Sequence, residues 1–316
     1  MHIFRYSPKK SFPFHETSVA MGNFDGLHIG HKKVIELAKP SQEQGRFGVV
    51  TFDPHPRKFF FPDDYSFKLM SKAARDHELK QMGLDVLVEI PFDEEISKLG
   101  PQIFVEEVLH KYFGFRKLVV GEDFKFGYRR QGDVKLLKTV AESFGIRVII
   151  ASMVSNQGSA ISSTAIRQSL SNGQPEKAAE MLGRWYSIVG KVLHGDKRGR
   201  KLGYPTINLD LSDILIPKFG IYSAFVNILT GPHQGVHNAA VSIGTRPTYG
   251  KQKPNLEAHL LDFSGNLYTT EVAVSLIKFQ RPELKFNSES ILVAQMKEDC
   301  LIAKETLEKI QKDTAV

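Results

Sequence analysis

The stretch that decides the fold of this chain is Gly22-Asn-Phe-Asp-Gly-Leu-His-Ile-Gly-His31. It follows a short apolar run, Thr17–Met21, that is typical of a buried strand, and it precedes Lys32–Ala38, which is typical of a helix. His28 and His31 therefore fall at a strand-to-helix turn. Glycines let the backbone of such a turn approach a ligand closely, and the start of the helix adds partial positive charge. The pattern predicts a polyphosphate site with two imidazole donors; the alternative is a glycine-rich turn with two surface histidines.

Around this turn, residues 17–151 alternate between strand-like and helix-like segments. The apolar, strand-like runs are Val19–Met21, Phe47–Phe52, Val86–Ile90, Leu118–Val120 and Ile146–Ala151. The helical patterns between them are Lys32–Ala38, Lys72–Met82, Pro101–Phe113 and Val134–Phe144. This alternation predicts a parallel sheet covered by helices, with ligands bound outside the carboxyl ends of the strands.

From Ser187 onward the segments become short and rich in β-branched residues, with Gly and Pro between them. These segments are Ile188–Leu193, Thr206–Leu209, Tyr222–Ile228, His237–Ile243, Leu256–Leu261 and Glu271–Phe279. They predict a small antiparallel sheet or barrel, closed by a helix from Ser290 to about Lys312. A linking helix is predicted at Pro175–Leu182, so we place the domain boundary near Arg184, between domains 1–184 and 185–316.

Composition narrows the function classes. The 316 residues favour two domains, and neither a signal peptide nor a membrane-spanning stretch is visible, which favours a soluble, cytoplasmic protein without a membrane partner. Cys300 is the only cysteine, which excludes an intrachain disulfide framework. The net charge of +7 is spread along the chain without a basic arm, which fits an enzyme with anionic substrates better than a nucleic-acid binder.

A second constellation opens the C-terminal domain, at Gly190–Asn208. Its glycines and basic residues suit a polyphosphate, although no Walker loop is present and a solvent-exposed basic hairpin is an equal alternative. The candidate phosphate-loop residues are Gly195, Lys197, Gly199, Arg200 and Gly203. Thr206 and Asn208 alternate on a strand, so both can offer oxygen ligands to Mg²⁺ from one face.

Glu257 is a further candidate because apolar residues flank it in a strand-like run that it shares with His259. A carboxylate in such a run must be paired, exposed at a rim, or functional. Taken alone, Glu257 is better interpreted as an ordinary surface residue.

The histidine element by itself resembles the nucleotidyltransferases and the class I aminoacyl-tRNA synthetases. Taken together and in order, the motifs resemble the prokaryotic bifunctional riboflavin kinase/FAD synthetase family over nearly the whole chain. The motifs that carry this resemblance are Gly22–His31, Thr51-Phe-Asp-Pro-His-Pro56, Gly121-Glu-Asp-Phe-Lys-Phe-Gly127, Ile161-Ser-Ser-Thr-Ala-Ile-Arg167, Gly199–Asn208 and Glu257.

The resemblance implies two reactions on two domains. A C-terminal kinase barrel phosphorylates riboflavin with ATP to give FMN, and a Rossmann-like N-terminal domain adenylylates FMN with ATP to give FAD and pyrophosphate. It implies Glu257 as kinase base, Thr206 and Asn208 as Mg²⁺–ATP ligands, and His28 and His31 as contacts to the ATP phosphates. The other implied ATP contacts of the first domain are Gly22, Asn23, Phe24, Asp25, Gly26, Gly30, Ser162, Ser163, Thr164 and Arg167. The implied flavin contacts are Asp123, Phe124, Phe126 and Arg281.

Two positions depart from the pattern that the resemblance implies. Ile207 stands where the kinase motif commonly has Ala, and we expect repacking without lost chemistry, because this side chain points away from Thr206 and Asn208. Asp123 stands where some members have Asn, and a negative charge there would need Mg²⁺ or a basic neighbour if it lies near a phosphate.

Three rival functions are weighed against this one. Lys68-Leu-Met-Ser-Lys72 mimics a synthetase signature, but it follows the histidines too closely, and we interpret Ser71 as a helix cap. A non-enzymatic flavin or nucleotide carrier would not require His28, His31 and Glu257 to coexist. A nucleotidyltransferase with a single activity is the remaining alternative.

Overall fold

A computed structural model gives the structure of the chain and describes residues 1–40, 45–62, 67–156, 159–195, 198–212, 214–246 and 253–314. The chain forms two compact units. The first consists of residues 1–64 and 72–162, and the second consists of residues 65–71 and 163–316.

The first unit is built on a six-stranded sheet in which every neighbouring pair is parallel. Its strands are β1 (His2–Arg5), β2 (Ser18–Met21), β3 (Phe47–Phe52), β4 (Val86–Ile90), β5 (Lys117–Gly121) and β6 (Arg147–Ala151). Their spatial order is β1-β4-β3-β2-β5-β6. A two-stranded antiparallel pair follows, β7 (Ser155–Asn156) with β8 (Ser159–Ala160). The predicted helix-covered parallel sheet is therefore confirmed, with β1 added at its edge.

Helices alternate with these strands. They are α1 (Ile29–Leu37), α2 (Pro56–Phe60), α3 (Lys72–Gln81), α4 (Glu94–Lys98), α5 (Pro101–Ile103) and α6 (Val134–Ser143). The helix predicted at Pro101–Phe113 is present in a different form, because α5 continues as a π-helix over Phe104–Tyr112. The buried side chains of this π-helix, Phe104 among them, pack with the strand side chains in the first core.

The second unit is a six-stranded antiparallel sheet with helices before and after it. Its helices are α7 (Ser163–Ser171), α8 (Pro175–Leu182), α9 (Arg198–Lys201) and α10 (Glu289–Thr314). Its strands are β9 (Tyr186–Lys191), β10 (Ile207–Asp210), β11 (Gly220–Ile228), β12 (Gly235–Arg246), β13 (Lys253–Leu260) and β14 (Glu271–Arg281). Their order is β10-β13-β12-β11-β14-β9, and a bridge between Leu193 and Asn208 joins the two ends into a nearly closed barrel. The predicted barrel and terminal helix are confirmed.

The core of the second unit recruits segments that lie before the barrel in sequence. Leu69 is buried in this core, and so are apolar side chains of α7 and α8, including Ile166 and Leu182. Lys68 accepts a backbone hydrogen bond from Leu215 at 2.6 Å. Ile207 is also buried there, as expected for a side chain that points away from Thr206 and Asn208. The compact unit thus begins before Arg184, while the boundary between activities at 184/185 stays a prediction.

No helix in the described part of the chain combines the length and the apolar character that crossing a membrane would require.

Candidate functional site

The first candidate site lies where the strand order of the parallel sheet reverses. From β2, the chain goes to β3 on one side and later to β5 on the other, so β2 pairs with both neighbours. Ligands of open parallel sheets bind outside the carboxyl ends of the strands at such a switch point. The turn Gly22–His28 follows β2 there, and Gly121–Gly127 follows β5. Sheet topology therefore brings these two motifs to the same edge.

The two histidines are held by the first turn of α1. His28 is the N-cap residue, with extended backbone, and its Nδ1 accepts a hydrogen bond from the backbone N–H of His31 at 3.1 Å. The two rings are stacked, with centroids 3.5 Å apart and planes 18° from parallel. Because Nδ1 is an acceptor, the proton of the neutral His28 ring is on Nε2, which can donate to an anionic oxygen.

Gly30 makes room for this arrangement. A Cβ atom at Gly30 would lie 3.1 Å from both Cε1 and Nδ1 of His28, and 4.0 Å from the carbonyl oxygen of Ile161. A side chain at this position would therefore require the His28 imidazole to shift by a few tenths of an ångström. The same contact brings Ile161, the first residue of the Ile161–Arg167 motif, close to the start of α1.

The rest of the histidine turn lies against β3. Gly22 donates its backbone N–H to Val50, and the Thr51 hydroxyl donates to the carbonyl of Asn23 at 3.4 Å. Phe24 has a positive φ of 51°, and its ring meets His31 edge-on at 5.4 Å. Asp25 is buried in the turn, which continues through Gly26. The predicted ATP contacts from Gly22 to His31 thus form one continuous turn.

The second half of the predicted adenylyltransferase residues is divided between the units. Ser162 ends the first unit, whereas Ser163 and Thr164 begin α7 of the second unit, at a helix N-terminus of the kind that binds anions. Arg167 lies one turn further along α7, where its Nε donates to the carbonyl of Phe67 at 2.7 Å and its guanidinium faces the Phe67 ring. Sequence analysis did not predict helix α7.

The predicted flavin residues of the first unit belong to a chain of aromatic rings. Phe124 and Phe126 are stacked with centroids 5.8 Å apart, and Phe126 lies 6.1 Å from Phe104. Asp123 is exposed on the same turn, with Oδ1 close to the position of a Cβ on Gly121.

The chain of rings continues to a group that sequence analysis missed. Phe104 lies 6.4 Å from Phe52, and Phe52 meets Phe92 edge-on. Phe92 in turn meets Phe59 and Phe60, and Phe60 is 59% exposed. The run Phe59-Phe-Phe61, two residues after the Thr51–Pro56 motif, is a sequence signal that could have predicted this aromatic surface.

Charged side chains fix the loop after β3. Lys72, the first residue of α3, donates to Asp53 at 2.9 Å and to the buried Glu89 at 2.7 Å, and Arg75 also donates to Glu89 at 2.7 Å. Burial disfavours the charged form of Lys72, but the hydrogen bonds to Glu89 and Asp53 outweigh it, so the pKa of Lys72 is raised. Lys72 therefore stays charged and ties α3 to the Thr51–Pro56 loop. Ser71, the predicted cap, immediately precedes α3.

The second candidate site is assembled by the register of β10 and β13. Asn208 on β10 stands directly opposite Glu257 on β13, and Thr206 immediately precedes β10. The Thr206 hydroxyl donates to Oε2 of Glu257 at 3.3 Å. Asn208 is buried, and Glu257 is half-buried. The structure thus brings together the three kinase residues that the sequence suggested, across about fifty positions of chain.

Two residues that sequence analysis did not place in the site complete this face of the sheet. Asn255 donates to both Asn208 and Glu257. His259 makes a hydrogen bond through Nδ1 with the carbonyl of Pro205 at 2.8 Å, and so ties the end of the basic loop to β13. The alternation Asn255-x-Glu257-x-His259 was visible in the sequence, but the partner strand was not.

The basic loop closes at its base beside Asn208. The backbone N–H of Leu193 donates to the carbonyl of Asn208 at 2.9 Å, so the two ends of the loop are held together by this hydrogen bond. Gly195 is half-buried and Arg200 and Gly203 are exposed, while Lys197 lies outside the described residues. Gly199 is required by close approach, because a Cβ there would collide with the carbonyl oxygen of Tyr204.

Arg281, a predicted flavin contact, has its guanidinium on the buried Asp299 of α10. Nε and Nη2 reach the two carboxylate oxygens at 2.8 and 2.6 Å, and Gln295 donates to the same carboxylate at 3.1 Å. A paired and hydrogen-bonded buried carboxylate of this kind joins β14 to α10. A contact between Arg281 and a flavin stays a prediction.

The donor set of the second site fits a hard cation that arrives with a nucleotide. Thr206 and Asn208 offer neutral oxygens, and Glu257 offers a carboxylate beside them. Among the described residues, no group of three or more His, Cys, Asp or Glu side chains forms a metal cage. Mg²⁺ matches this pattern because it binds to few protein groups and takes the rest of its ligands from phosphates and water.

Fold and sites together define a class. A parallel sheet with paired histidines at its switch point is a nucleotidyltransferase domain, and the barrel with its basic loop is a kinase domain. A family model described as FAD synthetase matches residues 12–165, and one described as riboflavin kinase matches residues 182–307. The chain belongs to the bifunctional riboflavin kinase/FMN adenylyltransferase family, a family of transferases in FAD biosynthesis.

Relatives of that description cover almost the whole chain. The bifunctional riboflavin kinase/FMN adenylyltransferase of Haemophilus influenzae is 33% identical over 289 residues, covering 91% of this chain and 93% of the relative. Those of Escherichia coli K12 and Pseudomonas fluorescens are 35% and 36% identical, covering 91% and 92% of this chain and 91% and 94% of the relatives. A crystal structure from Streptococcus pneumoniae, described as a macrolide-efflux protein, matches with a TM-score of 0.82 and 28% identity. It covers 96% of this chain and 99% of that one, and we take only the fold from it.

Proposed function

We propose that this chain phosphorylates riboflavin to FMN in its C-terminal domain and adenylylates FMN to FAD in its N-terminal domain, with residues 1–184 and 185–316 as the two functional regions. The observation that supports the proposal is that predicted site residues lie close together within each family-matched domain. His28 and His31 lie at the switch point of one, and Asn208 and Glu257 lie on facing strands of the other.

In the kinase reaction, Glu257 is the general base. The primary hydroxyl of riboflavin attacks the γ-phosphorus of ATP and ADP leaves, while the hydroxyl proton passes to a Glu257 oxygen. The Thr206 hydroxyl orients that carboxylate through its hydrogen bond to Oε2. Bound Mg²⁺, held by Thr206 and Asn208, would supply charge neutralisation on the transferred phosphate. We assign the remaining phosphates to the candidate phosphate-loop residues Gly195, Lys197, Gly199, Arg200 and Gly203.

In the adenylyltransferase reaction, the FMN phosphate attacks the α-phosphorus of ATP and pyrophosphate leaves. His28 donates from Nε2 to an oxygen that gains charge in the transition state, and the stacked ring of His31 assists from the first turn of α1. The turn Gly22–Gly26 and the helix-start residues Ser162, Ser163 and Thr164, with Arg167, complete the ATP contacts.

The flavin of the second reaction stacks on the aromatic surface. Phe124 and Phe126 lie at one end of the chain of rings and the exposed Phe60 lies at the other. Aromatic faces of this kind favour a flat conjugated ligand. Asp123 and Arg281 are kept as flavin contacts, the latter on the kinase side.

One incubation tests the proposal against its rivals. The protein is mixed with riboflavin, ATP and Mg²⁺, and the products are separated by chromatography. We expect FMN first and FAD afterwards. Unchanged riboflavin would indicate a carrier, and pyrophosphate exchange that depends on an amino acid would indicate a synthetase. Conversion of supplied FMN to FAD without any conversion of riboflavin would indicate a nucleotidyltransferase with a single activity.

A further inference from the structure

Asn255 occupies a central position on the site-bearing face of the barrel. It lies two residues before Glu257 on β13, so both side chains point to the same face of the sheet. Its neighbour on β12 is Gly244, where the Glu283 carboxylate occupies the space that a Cβ would need, and its partner on β10 is Asp210. Asn255 is half-buried.

One nitrogen of Asn255 serves both predicted catalytic partners. Its Nδ2 donates to Oδ1 of Asn208 at 3.1 Å and to Oε1 of Glu257 at 3.2 Å. A side-chain amide has two N–H bonds, so each acceptor receives its own hydrogen.

The arrangement also fixes which way the Asn208 amide is turned. Because Oδ1 accepts from Asn255, the oxygen of Asn208, and not its NH₂ group, is directed to the side where Glu257 lies. A carbonyl oxygen has two lone pairs, so the same oxygen can accept this hydrogen bond and face a cation. The amide of Asn255 therefore sets the orientation of the predicted metal ligand and of the predicted base together.

We propose that Asn255 is the positioning residue of the kinase site, which aligns Asn208 toward Mg²⁺–ATP and Glu257 toward the riboflavin hydroxyl. This inference rests on the proposed kinase function. In this role Asn255 acts through two other side chains, which it holds in position by hydrogen bonds.

Two substitutions with side chains of nearly equal size distinguish this positioning role from a ligand role and from a purely structural role. Asn255→Leu removes the donor, and Asn255→Asp replaces the donor with an acceptor that repels both partners. We expect kinase turnover to fall about tenfold to a hundredfold in N255L, since misplacement by about 1 Å can cost a hundredfold. We expect a larger loss in N255D, with the KM for riboflavin little changed in both. Asn255→Gln, which keeps both N–H bonds, should retain more turnover than N255L.

A binding measurement accompanies the kinetics. ADP is titrated into each protein by calorimetry with and without Mg²⁺, and we expect the affinity gained on adding Mg²⁺ to shrink several-fold in N255L. Asn238→Leu is the matched control, because Asn238 is an amide on β12 whose Oδ1 accepts instead from Gln311 of α10. The control should keep full kinase turnover, and every variant should convert supplied FMN to FAD at the wild-type rate.

Each outcome is decisive. Full turnover in N255D, or a tighter Mg²⁺ response there, would mean that an oxygen at this position is itself a ligand, and would overturn the inference. A lower melting temperature in N255L with unchanged turnover would reduce Asn255 to a structural role. If N255L does not fold, kinase turnover and Mg²⁺-dependent ADP binding are measured in N255D, which preserves the shape of the side chain. A wild-type protein that makes no FMN would overturn the proposed function instead, and the ADP titration would still decide on Asn255.

Discussion

The two candidate phosphate sites of this molecule are built in opposite ways. In the first unit, His28 and His31 are three residues apart, and one helix turn sets their geometry through the hydrogen bond from the His31 N–H to His28 Nδ1. In the second unit, Asn208 and Glu257 are 49 residues apart, and only the pairing of β10 with β13 makes them neighbours.

This difference shows which parts of a site can be predicted from a sequence. The geometry of a local turn follows from its own sequence, because the helix start and the glycines fix where each side chain points. A site across strands depends on register, and a shift of one residue would turn every side chain of β13 to the other face. The first site should therefore fail through local substitutions, and the second through loss of cross-strand partners.

The largest expected effect is that of Glu257→Gln, which removes the base from the cross-strand site and keeps its size. We expect riboflavin phosphorylation to fall about 10²- to 10⁴-fold, with riboflavin still bound and supplied FMN still converted to FAD. The rate of FMN formation measures the effect, and Glu271→Gln on β14 is the control carboxylate of the same sheet. Near-normal turnover in Glu257→Gln would mean that Glu257 is an ordinary surface residue and not the base.

The next largest effect is on stability, and it tests whether residues 67–71 belong to the core of the second unit. Leu69 is 1% exposed in the core of the second unit, so Leu69→Ala should destabilise that unit by about 3 kcal/mol. Trp185, the single tryptophan, packs in the second unit and reports its unfolding in urea by fluorescence. Leu79→Ala, buried in the first unit, is the control and should not lower the Trp185 midpoint. If the urea midpoint of the Trp185 transition is the same in Leu69→Ala as in wild type, residues 67–71 do not stabilise the second unit.

Removal of either histidine should affect the local site alone. We expect His28→Ala and His31→Ala each to lower FAD formation from FMN about a hundredfold, because each removes a contact to charge that develops in the transition state. FMN formation from riboflavin should not change. His77→Ala, on the exposed side of α3, serves as the control histidine. Equal loss of both activities in a folded variant would contradict the separation of the two sites.

The smallest expected effect comes from Gly30→Ala, which adds one methyl group beside the His28 ring. That group would lie 3.1 Å from the ring, so the imidazole must shift, and we expect about a tenfold loss of FAD formation. Gly100→Ala is the control, since a Cβ there meets nothing within 4 Å. If Gly30→Ala forms FAD as fast as wild type, the capping geometry of His28 is not needed for turnover.

Much of the fold could be predicted from the sequence because its signals are local. The apolar runs from Val19–Met21 to Ile146–Ala151 correspond to strands β2 to β6 of the parallel sheet. β1 was missed because His2–Arg5 is a four-residue edge strand with one buried side chain. Helix α7 was missed because its nine residues include three serines and only two strongly apolar side chains, Ile166 and Leu170.

Of the candidate sites, the sequence alone indicated the residue types and the motif order. It determined the histidine turn, the two fold classes and the family, because these depend on spacing along the chain. Only the tertiary structure decided that Asn255 joins Asn208 and Glu257, that Leu69 belongs to the second core, and that Arg281 pairs with Asp299. Apart from Asn255 and Glu257, which are two positions apart on β13, these contacts join residues from 18 to more than 100 positions apart. Their geometry is set by strand register and core packing, which no local pattern encodes.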